Sequence, residues 1–73
     1  MTVQEIKAAK NAVPFVPFRI HYPGGSAIDV LHPDFMSFSL TGRIAYVTIP
    51  EDRLVRADVA LITSIEELEQ MIH

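Results

Sequence analysis

Seventy-three residues of 8.2 kDa, 49% hydrophobic and 21% charged with neither cysteine nor tryptophan, make one small domain and leave no room for a second. A chain this short buries only about 60% of the surface its unfolded form exposes, and without cysteine no disulfide can reinforce a thin core. Six basic residues stand against nine acidic ones, for a net charge of −3, and Lys7, Lys10, Arg19, Arg43, Arg53 and Arg56 never form a run. That disfavours nucleic acid as a partner, since such affinity rests on clustered Lys and Arg. No stretch reaches the roughly 18 apolar residues of a membrane span. The first ten residues lack the apolar middle of a secretory signal, so the expected location is cytoplasmic.

Thr2 followed by Glu5 is a capping-box pattern, and Val3, Ile6 and Ala9 recur at helical spacing until Val13-Pro14 stops them, which predicts a helix over about 3–11. Its apolar stripe is narrow, suited to resting on a sheet edge. Arg19-Ile-His-Tyr22 and Ser26-Ala-Ile-Asp-Val-Leu31 alternate in polarity around Pro23-Gly24-Gly25. A two-residue loop would set Ile20 against Asp29 and Arg19 against Val30. A three-residue loop sets Phe18 against Val30, Ile20 against Ile28 and Arg19 against Asp29, giving one apolar and one charged face. The second register is therefore expected.

His32-Pro33-Asp34 interrupts the sheet, because proline cannot donate to an interior ladder. The run from Phe35 to Ser39 and the run from Arg43 to Ile49 form a second hairpin around Leu40-Thr-Gly42. With a three-residue loop closed by Gly42, Phe38 faces Ile44 and Met36 faces Tyr46, leaving Phe35, Ser37, Ala45 and Val47 opposite. Both faces are then at least half apolar and both call for burial. Pro50-Glu-Asp-Arg53 is a turn leading to Leu54-Val-Arg56. A strand or single turn near 58–63 follows. Leu61, Ile65, Leu68 and Ile72, with Ser64 and Glu67 as a second capping box, then predict a helix over 65–72; the β-branched run Ala60 to Ile65 is the argument for a strand.

Pro14-Phe-Val-Pro-Phe-Arg-Ile-His21, the Gly-Gly turn, Val30-Leu-His-Pro-Asp-Phe35, Ser39-Leu-Thr-Gly-Arg43 and Leu61-Ile-Thr-Ser-Ile-Glu66 resemble the pattern of a group of small, uncharacterised bacterial proteins. The resemblance covers about residues 14–66, implies no activity, and implies a strand-like ending. A short helix followed by about five short, bent antiparallel strands is also similar in architecture to Sm-like and SH3-like small barrels, whose members bind RNA or peptides. The expected fold is thus α+β, mainly β: a helix over about 3–11, a strongly bent sheet or barrel over about 15–63, and a C-terminal segment over 64–73.

Three functional readings follow from different chemistry. His21, Asp29, His32 and Asp34 supply two imidazoles and two carboxylates, a donor set suited to zinc, nickel or iron. Strand spacing nevertheless puts His21 and His32 more than about 10 Å apart unless Pro33 folds them together. The aromatic residues Phe15, Phe18, Phe35, Phe38, Tyr22 and Tyr46 could stack bases in an RNA-binding Sm-like regulator, but no basic residues lie between them. Arg19 is expected to pair with Asp29, and Ser37, Ser39, Thr41, Thr63 and Ser64 have no histidine-carboxylate pair beside them. The leading expectation is a non-enzymatic interaction module that uses no cofactor and meets a second copy or another protein. Its contact residues are expected to be Phe35, Val47, Ile49, Leu61, Ile65 and Leu68.

Overall fold

Thr2 and Glu5 start the one α-helix among the described residues by capping each other. The structure, a computed structural model, describes residues 1–68. In it the Glu5 N–H donates to the Thr2 hydroxyl (3.3 Å) while the Thr2 N–H donates to the Glu5 carboxylate (3.1 Å), opening α1 (Val3–Lys10). These bonds also hold the Glu5 carboxyl below its ordinary value, the backbone bond to Thr2 acting most strongly. Lys7 and Lys10 occupy the last turn, where the helix dipole favours cations.

Among the described residues six antiparallel strands follow: β1 (Phe18–His21), β2 (Ala27–Val30), β3 (Met36–Phe38), β4 (Ile44–Ile49), β5 (Arg53–Asp58) and β6 (Ser64–Glu67). These form two three-stranded sheets, ordered β2-β1-β6 and β3-β4-β5, and close no barrel among the described residues. A tight turn at Pro23–Gly25 and short 3₁₀ turns at Pro33–Phe35 and Val59–Leu61 make the corners. No helix among the described residues is long and apolar enough to cross a membrane.

The first hairpin has the register its side chains require: Phe18 pairs with Val30, Arg19 with Asp29 and Ile20 with Ile28. The loop is the three residues Pro23-Gly24-Gly25, closed by the Tyr22 N–H donating to the Ser26 carbonyl. Both glycines have positive φ, +83° and +85°, a region that costs a side-chain-bearing residue free energy.

The second hairpin departs from expectation by one residue. Met36 pairs with Val47, Ser37 with Tyr46 and Phe38 with Ala45, around a four-residue loop, 40–43. Ser39 decides this. Its N–H donates to the Ile44 carbonyl (2.8 Å), its hydroxyl accepts from the Ile44 N–H (3.1 Å), and its carbonyl accepts from the Gly42 N–H (2.9 Å). Because side chains alternate with period two, the slip regroups both faces. Met36, Ala45 and Val47 turn into the core, and Ser37, Tyr46 and Thr48 turn outwards. The hairpin therefore does not have two faces seeking burial.

Two further expectations are corrected. The C-terminal segment is strand, not helix, as far as it is described: β6 pairs with β1, Ile20 opposite Ile65 and Arg19 opposite Glu66. The rest of the helix expected over 65–72, from Glu69 onward, lies outside the described residues. A helical stripe and a β-branched run overlap there, and an open edge of β1 outweighs local helical spacing. The helix α1 does more than rest on a sheet edge. Ile6 is fully buried and joins Phe18, Ile20 and Val30 of one sheet and Met36, Ala45, Val47 and Ala57 of the other in a single core. Burial of such a side chain contributes about 1.5–3 kcal/mol. The helix thus supplies part of the core that the two sheets share.

Candidate interaction surface

Four charged or titratable side chains share the outer face of β2-β1-β6. The Arg19 guanidinium meets Asp29 through two bonds, Nε to Oδ1 at 2.6 Å and Nη2 to Oδ2 at 3.1 Å. Hydrogen bonding to Arg19 holds the Asp29 carboxyl below its ordinary value, and the same bonds raise Arg19. On the other side of β1, His21 Nε2 lies 2.9 Å from Glu66 Oε1. This second pair exists only because β6 lies beside β1.

His32 and Asp34 sit elsewhere, at the 3₁₀ turn Pro33–Phe35. His32 Nδ1 accepts a hydrogen bond from the Asp34 N–H (3.1 Å) and so caps the turn. A ring nitrogen that accepts carries no proton, so the 3.8 Å approach of Asp34 Oδ2 to the same atom is not an ion pair. The candidate ligands are thus committed separately: Asp29 to Arg19, His21 to Glu66, and His32 to its own turn. Among the described residues no three His, Cys, Asp or Glu side chains converge as a metal site.

The expected contact residues divide in the same way. Val47 is 0% exposed in the core and presents no surface. Phe35 (45% exposed) and Leu61 (57%) are open to solvent, while Ile49, Ile65 and Leu68 are half-buried. Ile65 packs against the core, and the Leu68 N–H donates to the Pro17 carbonyl (2.8 Å).

The structure assembles a different apolar surface around Phe35 and Ile49. Leu31, Phe35, Ile49 and Pro50 line an open cleft of about 260 Å³, with Thr48 at its wall and Asp29, Glu51 and Asp52 around it. A second cleft of about 460 Å³ shares Asp29, Leu31, Ile49 and Pro50 and continues past Ile28, Val55 and Arg19. Leu54, 65% exposed, stands on the outer face of β5 opposite Thr48, the residue at the wall of the first cleft. The surface is apolar in its centre and mainly acidic at one end. It can receive apolar side chains of another polypeptide and offers opposite charge to basic ones.

Leu31, Pro50 and Leu54 were absent from the sequence-based contact set. For Leu54 a signal exists: if Val55 faces inwards, alternation sends Leu54 outwards. Leu31 and Pro50 carry no such signal, since the cleft forms only where the end of β2 meets the β4-β5 turn.

The fold and surface of the described residues define a small, mainly β protein of two antiparallel sheets and one helix around a shared core. Compared with family models, with curated proteins and with solved structures, the chain matches none.

Proposed function

We propose that this protein is a non-enzymatic interaction module that works by associating with a second copy of itself. The observation that carries the reading is the apolar cleft lined by Leu31, Phe35, Ile49 and Pro50, with Leu54 opposite its wall residue Thr48; Leu31, Phe35 and Leu54 are 45–65% exposed. In a domain whose core is limited by its length, an apolar cleft with a further exposed leucine beside its wall is better accounted for by a partner than by solvent. A net charge of −3 with dispersed cations supports a protein partner over a nucleic acid.

Sedimentation equilibrium and thermal unfolding, run from about 1 to 200 µM, test the reading. Self-association gives a particle mass above 8.2 kDa and an unfolding midpoint that rises with concentration. A monomer throughout, with a midpoint independent of concentration, overturns it.

A further inference from the structure

We infer that two copies join through β5, paired antiparallel about a two-fold axis at Leu54, so that Arg56 of each copy meets the Glu51-Asp52 turn of the other. The inference rests on the self-association proposed above and specifies where it occurs.

Among the described residues β5 ends its sheet, and with six residues it is longer than the other terminal strands β2, β6 and β3, which have four, four and three. Its pairing with β4 runs without a bulge from Arg53 to Asp58, and no proline interrupts it. Of the usual protections of a sheet edge, β5 lacks short length, bulges and proline and keeps charged side chains alone, Arg53, Arg56 and Asp58. Its charges are what remain to select a partner.

A two-fold axis relating antiparallel strands stands perpendicular to the sheet, so opposite residues share a face. Leu54, Arg56 and Asp58 belong to the outer face, opposite Thr48, Tyr46 and Ile44, while Arg53, Val55 and Ala57 belong to the inner one. This leaves four registers with the axis inside the strand, at Leu54, Val55, Arg56 or Ala57. With Arg56 on the axis, two guanidinium groups meet. With Val55 on the axis, Asp52 falls opposite Asp58 and Arg56 opposite Leu54, which places acid against acid and charge against an apolar side chain. With Leu54 on the axis, the two exposed leucines meet and each Arg56 falls opposite the other copy's Asp52, with Glu51 adjacent. Like charges directly opposite destabilise a ladder and unlike charges support it. With Ala57 on the axis, each Arg56 falls opposite Asp58 but Leu54 falls opposite Ala60 of the Val59–Leu61 turn. Two registers thus pair Arg56 with an acid, and the one centred on Leu54, although it sets Arg53 opposite Val55, is the one that also brings the exposed leucines of the two copies together.

Charge reversal tests the register in a way that simple disruption does not. Arg56→Glu alone sets acid against acid, and the pair Glu51→Lys with Asp52→Lys sets base against base; each is expected to weaken the dimer by about tenfold or more. Mixing the two variants restores both contacts in a heterodimer, so sedimentation of the mixture recovers the wild-type particle. Circular dichroism of each variant checks that the fold persists, as all three positions are exposed. A wild-type dimer that neither variant weakens, or weakened variants whose mixture stays dispersed, overturns the β5 pairing while self-association stands. A wild-type monomer at 200 µM overturns both.

Discussion

The outer face of β2-β1-β6 holds its polar side chains in pairs, the ion pair of Arg19 with Asp29 and the hydrogen-bonded pair of His21 with Glu66, whereas the outer face of β3-β4-β5 presents Ser37, Tyr46, Thr48 and Leu54 and leaves Arg56 without an acid opposite it in the ladder. The first sheet satisfies its electrostatics within the chain. The second keeps charge and apolar surface together at a free edge, in an arrangement that a second copy can complement. One sheet is finished by its own side chains and the other is open to a neighbour, although both rest on the same core.

Removing core volume breaks both sheets together and gives the largest effect. Phe18→Ala, at a side chain 1% exposed, is expected to cost about 3–5 kcal/mol, and Met36→Ala in the opposite sheet about 2–5 kcal/mol, read from urea unfolding. Total stability for a small domain is about 5–15 kcal/mol, so the first variant is expected to be partly unfolded near 37 °C. Retention of wild-type stability by either variant would show that the core does not bridge the sheets.

The two hairpin turns sharpen the contrast. Gly42 has φ +74°, and an added methyl would sit 3.2–3.4 Å from Val3 Cγ atoms, so Gly42→Ala strains the turn and presses on the helix. It is expected to cost about 1–3 kcal/mol. Gly24→Ala meets open space and suffers only from its φ of +83°, so its cost, about 1 kcal/mol, is smaller. Equal losses in thermal denaturation would contradict the contact between α1 and the second turn.

The charge pair of the first sheet makes a smaller, pH-dependent contribution. Asp29 has its carboxyl held below the ordinary 3.8, so the folded state binds its proton less readily than the unfolded state. The stabilisation is therefore complete above the unfolded value and is lost as pH falls through the lower, folded value. Asp29→Asn is expected to lower the melting midpoint by a few degrees at pH 7 and by less as the pH falls below 4, because both partners are 39% exposed and solvent screens them. A difference between wild type and variant that widens on acidification would contradict the pair.

Tyr22 should give the smallest change. Its hydroxyl is buried without a hydrogen-bond partner among the described residues, and burial followed by the nearby Asp58 charge pushes its pKa up. Tyr22→Phe removes a group that has lost water and gained nothing. It is expected to leave stability unchanged or raise it by up to about 1 kcal/mol in calorimetry. A clear loss would show that the hydroxyl has a partner in solution.

Local chemistry in the amino-acid order determined α1 through its capping box, and it determined the first hairpin, where only one register matches apolar with apolar and Arg19 with Asp29. Neighbours along the chain carry the information in both cases. In the second hairpin, apolar residues fill both alternative registers, so polarity could not choose between them; the hydrogen bonds of Ser39 and the seat of Gly42 beneath Val3 did. The ending at Ser64–Glu67 and the His21–Glu66 pair depend on contacts more than forty residues apart, which no local spacing encodes. The apolar cleft has the same origin. Alternation could place Leu54 outwards, but only the approach of β2 to the β4-β5 turn gathered Leu31, Phe35, Ile49 and Pro50 into one cleft, because a surface is a property of packed elements and not of any one of them.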